Sequence, residues 1–297
     1  WQADWPDAKM YMVFLGQHAD STFDGAVPGS EMFSIKVGNW ARFWADHMIE
    51  LGLEASQLGL LVIDEPRNQE QYDASVAWFK AIDAAAPEIV TWTDPIAREP
   101  DGILEMYQTV DVLCPNRHRY YEVGGWYREF VEQMRDQGTG IWFYSCSGPA
   151  RSFDPFSYYL MQAWHAFDFG AKGSAFWCFS DNGGASCWNE YVGSTRGPYC
   201  PIYLDDISVT AAKYMEAIRE SAEDFEYLTM LRSSIEELEG RGVAVPRVAK
   251  ELLATAPERV MAGEEGANWQ WDEPKDRSVQ DRLRIEILQT LVELAGM

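Results

Sequence analysis

The chain has 297 residues, of which 47% are hydrophobic and 24% charged, a composition typical of a globular protein with a sizeable buried core. Its 24 Lys and Arg stand against 47 Asp and Glu, and the formal net charge of -23 disfavours nucleic acid and anionic membrane surfaces as partners. No apolar run approaches the roughly 18 residues that a membrane span needs, so no membrane partner is expected.

Short apolar runs alternate with amphipathic stretches along the first half of the chain, which is typical of βαβ units that build a parallel sheet. Strands are predicted, in chain order, at 10–16, 58–66, 88–95, 110–116, 140–146 and 174–181. Helices with apolar positions at helical spacing are predicted at 38–52, 68–86, 121–137 and 155–170.

The strand ends favour a (β/α)8 TIM-barrel-like fold over an open doubly wound sheet. Five strands finish on polar or aromatic side chains, and barrel enzymes hold their reactive groups at the mouth where the carboxyl ends of the strands converge. No glycine-rich phosphate turn follows the first strand, which argues against a dinucleotide-binding sheet. A barrel has eight strands and about six are visible, so we expect the first one or two to be missing from this sequence or supplied from elsewhere.

Beyond the sixth strand, residues 182–205 are rich in Gly, Ser, Asn, Tyr and Pro without periodicity, which indicates a long loop over the barrel mouth. Amphipathic helices are predicted at 206–240, 246–262 and 276–295. We therefore expect a barrel domain over residues 1–240 and a C-terminal helical extension over 241–297 that packs on the barrel.

The segment LGLLVIDEP places two carboxylates, Asp64 and Glu65, where an apolar strand opens to solvent. Burying two charges there without a task is costly. Successive strand residues face opposite sides, so both acids reach one ligand only if the backbone bends at this end, where Pro66 stops the strand. The alternative is an ordinary strand end whose solvated acids cap the next helix, and the local motif does not separate the two interpretations.

A glycosidase uses two carboxyl groups, one to protonate the leaving oxygen and one to attack or to activate water. In common barrel glycosidases the second acid is a Glu on a later strand, but GIWFYSC at 140–146 carries no acid. If the chain is a glycosidase, this points to substrate assistance, in which the 2-acetamido oxygen of an N-acetylhexosamine attacks the anomeric carbon. One acid/base and one carboxylate that holds the acetamido group then suffice, and an adjacent Asp and Glu supply both.

Four segments follow one another in the chain: the DEP strand end, GIWFYSCSGP, WHAFDFGAKGSAFWCFSD and EAIRESAEDFEYLTML. Together they resemble the catalytic domain of glycoside hydrolase family 123 and its broader relatives of unassigned function, over roughly residues 58–232. The resemblance implies a retaining β-N-acetylgalactosaminidase that uses substrate assistance. Asp64 would then orient the acetamido group and stabilise the oxazolinium intermediate, and Glu65 would be the general acid/base.

Two departures from the family lie near the sugar-binding end. Many relatives have an Arg one turn before the Trp of a late helix, whereas this chain reads YLMQAW, with Leu160 or Gln162 near that place. The loop after FSD reads NEYVGSTRGPYCP instead of an extended Tyr-Pro segment. Both departures leave room for a sugar other than N-acetylgalactosamine on a shared fold.

Further sugar contacts are expected at the other strand ends. The chain is rich in aromatic residues, which stack on sugar rings but also fill cores. The stacking candidates are Trp92, Trp142, Tyr144, Trp177 and Trp188. Polar strand-end residues bind hydroxyls but often satisfy loop backbone instead. The polar candidates are Asp94, Asn116, His118 and Asp181, and Tyr144 is the best candidate to hydrogen-bond an acetamido or hydroxyl group.

Two other functions stay open. One is a glycosidase for a sugar without an acetamido group, with Glu65 as the acid and a loop carboxylate, Asp181 or Glu190, as nucleophile or base. The other is a carbohydrate-binding barrel without catalysis, in which the acids only hold hydroxyl groups. The substrate or ligand is a glycan in each case.

Neither a metal nor a cofactor is predicted, because no CxxC pair and no HExxH-like pattern occurs. One disulfide among Cys178, Cys187 and Cys200 is expected if the protein is exported. We expect an extracellular or periplasmic location, and the start WQADWPDAKM, which lacks a signal-peptide pattern, looks processed or truncated.

Overall fold

The computed structural model describes residues 2–97, 102–122, 125–146, 155–179, 200–204, 207–262 and 277–297. The chain forms two compact units, Trp1–Trp142 and Phe143–Met297. The expected division into a barrel domain over residues 1–240 and a helical extension over 241–297 stays a prediction. None of the described helices has the length and hydropathy needed to cross a bilayer.

The first unit is built on a parallel sheet. Its strands are β1 (Tyr11–Phe14), β2 (Leu58–Leu61), β3 (Val90–Thr93), β4 (Val112–Leu113) and the start of β5 (Gly140–Cys146). Each strand pairs in parallel with the next one along the chain. The α/β prediction is confirmed, and this sequential order is that of a βα barrel, whereas a doubly wound sheet reverses its order at an internal switch point.

Five helices connect these strands: α1 (Glu31–Glu50), α2 (Gln69–Ala85), α3 (Leu104–Thr109), α4 (Arg117–Glu122) and α5 (Gly125–Asp136). Helix α1 starts earlier than predicted because the Ser30 side chain caps it by accepting a hydrogen bond from the Phe33 N–H. Asn68 caps α2 in the same way. The helix predicted at 121–137 is confirmed by α5, which begins later than predicted because residues 121–122 end the separate helix α4.

The core of the first unit lies where α1 and α2 pack together. Trp78 on α2 is buried and meets the rings of Phe23, Phe33 and Trp40 edge to face, with centroids 5.3 to 6.1 Å apart. Gly38 permits the close approach of the two helices, because a Cβ there would lie 3.0 Å from the Cβ of Ala85. The helical layer therefore fixes β1 and β2, between which α1 runs, and β3, which follows α2.

The register decides which strand residues face the helices. Thr93 on β3 directs its hydroxyl to the sulfur of Met106 on α3, at 3.9 Å. Side chains alternate along a strand, so Trp92 and, past the strand end, Asp94 face away from α3. Trp92 is in register with Leu61 and Val112, so these three form one row on the sheet face opposite α3.

The second unit contains the remainder of β5, then α6 (Met161–Phe169), which a π-helical turn (Phe156–Leu160) precedes, and β6 (Gly173–Trp177). In the strand order of the parallel sheet β6 follows β5, which gives six strands among the described residues. Closure into an eight-stranded barrel stays a prediction.

A short antiparallel pair precedes the long helices of the second unit. It joins β7 (Ile202–Leu204) to β8 (Val209–Ala211), and the following helices are α7 (Lys213–Gly240), α8 (Arg247–Met261) and α9 (Ser278–Ala295). The prediction that a helix starts at residue 206 is therefore wrong: the β-branched Val209 and Thr210 pair with β7, and α7 begins only at Lys213.

Candidate active site

The acid doublet lies just past the carboxyl end of β2. Val62 and Ile63 continue this strand and are buried, and the carbonyls of Leu61 and Val62 accept hydrogen bonds from the N–H groups of Leu15 and Gln17, at 2.8 and 3.0 Å. Asp64 follows as an exposed residue and Glu65 as a partly exposed one. Both acids therefore remain accessible from solvent.

The backbone at Glu65 supplies the bend that the sequence required. Glu65 has φ of 44°, in the left-handed region that few residues other than glycine adopt. This conformation ends the strand alternation, under which Asp64 and Glu65 would point to opposite faces. The carbonyl of the next residue, Pro66, accepts a hydrogen bond from the Ile96 N–H at 3.2 Å, which ties this turn to the segment after β3.

A third carboxyl group lies beneath the doublet. Asp94, which follows β3, is 5% exposed, and its Oδ1 accepts a hydrogen bond from the Glu65 N–H at 3.0 Å. The pKa of Asp94 is raised to about 8, chiefly by burial and also by the charges of Asp64 and Glu65. The hydrogen bond from the Glu65 N–H opposes this rise. Asp94 is therefore a neutral acid at pH 7, and both members of the doublet lie close enough to act on it.

The pKa of Asp64 depends on the same neighbouring groups. Burial of part of the side chain, followed by the charge of Glu65, raises the pKa of Asp64. A side-chain hydrogen bond from Asp94 and the positive charge of Arg67 oppose this rise. Three carboxyl groups and one guanidinium thus form one electrostatically linked cluster.

Arg67 does not close the doublet to a ligand. Its guanidinium lies 3.9 Å from Oε2 of Glu65, beyond hydrogen-bond distance, and 59% of the Arg67 side chain is exposed, against 27% for Glu65. Exposed ion pairs of this geometry are weak, so the Arg67 side chain can move away at little cost. The interpretation of Asp64 and Glu65 as a reactive pair requires this accessibility.

Two of the predicted aromatic contacts lie together in the first unit. Trp92 and Trp142 are both partly exposed, and their ring centroids are 6.5 Å apart with a 33° angle between the planes. Trp92 lies two residues before Asp94 on the same side of β3. The two rings therefore form one partly exposed aromatic pair, and Trp92 lies on the strand that leads to Asp94.

Asn116 and His118 follow β4. Asn116 is buried, and its Oδ1 accepts a hydrogen bond from the Arg119 N–H at 3.2 Å, so it caps α4. His118 lies in the first turn of α4 and is partly exposed. The cap bond of Asn116 is the backbone role that polar strand-end residues often have, and sugar binding by either residue stays a prediction.

The other predicted contacts lie in the second unit or outside the described residues. Tyr144 on β5 is buried, and Trp177 at the end of β6 is 53% exposed. Gln162, near the place of the family Arg, is buried and accepts a hydrogen bond from the Ser174 hydroxyl at 2.7 Å. Cys178 and Cys200 share one buried cluster. Four residues with predicted roles lie outside the described ranges: Asp181, Cys187, Trp188 and Glu190.

Sequence reasoning missed three neighbours of the cluster: Arg67, Cys114 and Tyr127. Cys114 is buried, its N–H bonds to the Thr93 carbonyl at 2.8 Å, and burial followed by the charge of Asp94 raises the pKa of its thiol. Tyr127 on α5 is buried, and its hydroxyl donates to the carbonyl of Pro95, at 3.5 Å. Cys114 directly follows β4, the strand next to β3, so the sequence could have indicated that it lies near Asp94. The position of Tyr127 could not be predicted, because it depends on how α5 packs.

The first unit also contains a cavity whose described lining has no acid to take part in glycoside hydrolysis. It measures about 460 Å³, and Trp40, Trp44, Leu58 and Leu60 contribute to a nearly apolar lining in which no described residue is acidic. Within the described ranges, no three His, Cys, Asp or Glu side chains are grouped so that they could hold a metal ion. The carboxyl cluster is therefore the candidate active site.

The fold is similar to that of a family 123 glycoside hydrolase from Clostridium perfringens, a structure described in connection with glycolipid glycan hydrolysis. The TM-score is 0.52 at 15% identity, over 91% of this chain and 46% of the other, so the chain spans about half the length of that protein. A glucosidase from Croceicoccus marinus aligns over 48% of this chain and 37% of its own, at 14% identity, and its TM-score of 0.31 supports no argument. No family model and no curated protein matches the chain. At this identity the similarity to the family 123 enzyme shows a shared fold and no more.

Proposed function

We propose that the chain is a glycoside hydrolase that acts on β-linked N-acetylhexosamine glycans, such as those of N-acetylgalactosamine, by a retaining, substrate-assisted mechanism. The observation that carries this proposal is the accessible Asp64–Glu65 pair, whose two carboxyl groups act on one buried carboxyl, that of Asp94. The fold shared with a family 123 enzyme supports the same reaction class.

In the first step Glu65 donates its proton to the glycosidic oxygen while the acetamido oxygen of the sugar attacks C1 and the bond to the leaving group breaks. Asp64 accepts a hydrogen bond from the acetamido N–H and stabilises the positive charge of the oxazolinium ion. In the second step Glu65 removes a proton from water, which attacks C1 and restores the acetamido group. Two inversions at C1 give overall retention.

The mechanism assigns different roles to the two adjacent carboxyl groups. The mechanism starts with one proton on Glu65 and a charge on Asp64. Trp92 and Trp142 would bind the apolar face of a sugar ring, and such a glycan substrate is consistent with an extracellular or periplasmic location.

The test is hydrolysis of aryl β-glycosides by the purified protein, with both N-acetylhexosaminides and sugars without an acetamido group in the panel. We expect turnover of an N-acetylhexosaminide, inhibition by a thiazoline analogue, and a loss of at least about 100-fold in kcat for Asp64→Asn. Glu65→Gln should lose most activity on a poor leaving group and much less on dinitrophenolate, which leaves without a proton.

The matched control is Asp83→Asn, which removes an exposed carboxylate from α2 in the same unit and should leave kcat unchanged. Release of sugars without an acetamido group would instead support the alternative glycosidase, in which a loop carboxylate, Asp181 or Glu190, is the nucleophile or base. Binding without turnover of any glycoside would contradict the hydrolase proposal and favour a carbohydrate-binding protein.

A further inference from the structure

Asp94 has two contacts with the acid pair and almost none with solvent. It is 5% exposed, it accepts the hydrogen bond of the Glu65 N–H at 3.0 Å, and it lies close enough to Asp64 for each carboxyl group to shift the pKa of the other. A residue this buried is poorly placed to touch a sugar, which differs from the contact expected from its position at a strand end. Its contacts are directed to the reactive pair.

A neutral carboxyl group satisfies both contacts of Asp94. Its carbonyl oxygen accepts the hydrogen bond of the Glu65 N–H, and its O–H is a donor that can face the Asp64 carboxylate. An ionised Asp94 would also accept from the Glu65 N–H, but it would place its charge against that of Asp64.

The surroundings of Asp94 favour the same state. From the segment after β2 it faces the carboxyl groups of Asp64 and Glu65, from the end of β4 the thiol of Cys114, and from α5 the phenol of Tyr127. Burial raises the pKa values of Cys114 and Tyr127, so both stay neutral near pH 7.

We propose that Asp94 is a positioning residue that, as a neutral acid, holds the turn at Glu65 and donates its proton in a hydrogen bond to Asp64. The bond to the Glu65 N–H stabilises the left-handed turn at Glu65, next to Asp64. Donation to Asp64 lowers the pKa of that residue, against the burial and the charge of Glu65 that raise it. This inference rests on the proposed function for its catalytic meaning, but not for its structural content.

The kinetic test compares Asp94→Asn with Asp94→Ala. Asparagine keeps one acceptor and one donor in the same place, so we expect Asp94→Asn to retain kcat within about tenfold. Alanine keeps neither, and misplacement of the pair should lower kcat by about 100-fold or more with little change in KM. The conservative variant therefore rescues the defect only if the neutral form of Asp94 is the one that acts.

A pH profile separates positioning from a merely structural role. Wild-type activity should fall above pH 8, because Asp94 then ionises, loses its O–H donor and repels Asp64. The Asn variant cannot ionise, so its activity should persist to higher pH. An Asn variant as inactive as the Ala variant would overturn the proposal, because activity would then need an ionised Asp94. A rise in KM without a change in kcat would also overturn it, because Asp94 would then contact the sugar directly.

A substrate-free measurement keeps this inference separate from the proposed function. Carboxyl 13C NMR of the wild type should show one carboxyl group that titrates near pH 8 and is missing from Asp94→Asn, with Asp83→Asn as the control spectrum. That result without any glycoside turnover would contradict the hydrolase proposal and leave the hydrogen-bonded arrangement intact. If Asp94 titrates in the range of an ordinary aspartate, the inference is wrong whatever the activity.

Discussion

Glu65 is held in a backbone conformation that L-residues seldom adopt. Residues in the left-handed region cost about 1 kcal/mol or more unless they are glycine, and they persist where surrounding contacts fix them. At Glu65 those contacts are the hydrogen bond from its N–H to Asp94 and the neighbouring bond of the Pro66 carbonyl. Strain of this kind is concentrated at functional sites, because a reactive side chain must point where a regular strand would not place it.

Replacement of Glu65 tests this strain. Both Glu65→Gly and Glu65→Ala remove the carboxyl group and should abolish glycosidase activity, but only glycine adopts φ of 44° without steric cost. We expect the Gly variant to be more stable than the Ala variant by about 1 kcal/mol in thermal unfolding. Equal stability, or a more stable Ala variant, would mean that the turn relaxes when the carboxyl group is removed.

At the scale of elements, helix α7 is the centre of the second unit and packs on α6, α8 and α9. Asp224 on α7 is 1% exposed and accepts hydrogen bonds from Trp164 of α6 at 2.8 Å and from Gln280 and Arg284 of α9 at 2.7 and 2.6 Å. One buried carboxylate therefore joins three helices. The sequence shows an amphipathic helix here, but it does not show that one acid on its buried face is satisfied by two other helices.

Loss of Asp224 should destabilise the second unit strongly. Asp224→Ala leaves the Arg284 Nε–H and the Trp164 N–H without their acceptor, although the guanidinium keeps its bond to the Glu220 carbonyl. Such a loss from a buried pair costs about 3–5 kcal/mol. The control on the same helix is Glu216→Gln, which removes an exposed pair with Arg219 and should cost less than about 1 kcal/mol. Unfolding free energies from urea titration measure both. A cost below about 1 kcal/mol for Asp224→Ala would show that the helices do not depend on this acceptor.

At the scale of the whole molecule, the formal charge of -23 keeps the protein acidic at every pH above about 5, where carboxyl groups ionise. Against this background one carboxyl group behaves differently. The pKa of Asp94 is raised from 3.8 to about 8 by burial and by the charges of Asp64 and Glu65, so the folded protein keeps a proton that the unfolded chain releases.

The stability of the protein should therefore depend on pH through Asp94. Below pH 3.8 both states hold the proton, and between that value and about 8 only the folded state holds it, so stability falls by about 1.4 kcal/mol per pH unit from this group. Asp94→Asn lacks the effect. The difference in unfolding free energy, wild type minus variant, should drop by roughly 3 kcal/mol from pH 5 to pH 7. A difference that does not change with pH would place the pKa of Asp94 near its ordinary value.

The sequence by itself determined the α/β class, the six strands and the place of the acid doublet, because each depends on local patterns. Apolar runs fix strands wherever the sheet is buried, and the DEP segment marks where one of them ends. The same patterns predicted α2 within a residue at each end, but they placed the start of α1 too late and that of α7 too early, because neither the Ser30 cap nor the strand pairing of residues 209–211 is part of the helical periodicity.

Only the tertiary structure decided which residues surround the doublet. The left-handed turn at Glu65 and the burial of Asp94 beneath it depend on a contact between segments far apart in the chain, whereas the cap formed by Asn116 is a local hydrogen bond. From the sequence, Asp94 and Asn116 were both polar residues at strand ends, equally suited to bind sugar. A carboxyl group shows its protonation state only when its neighbours and its access to water are known, and both are properties of the folded chain.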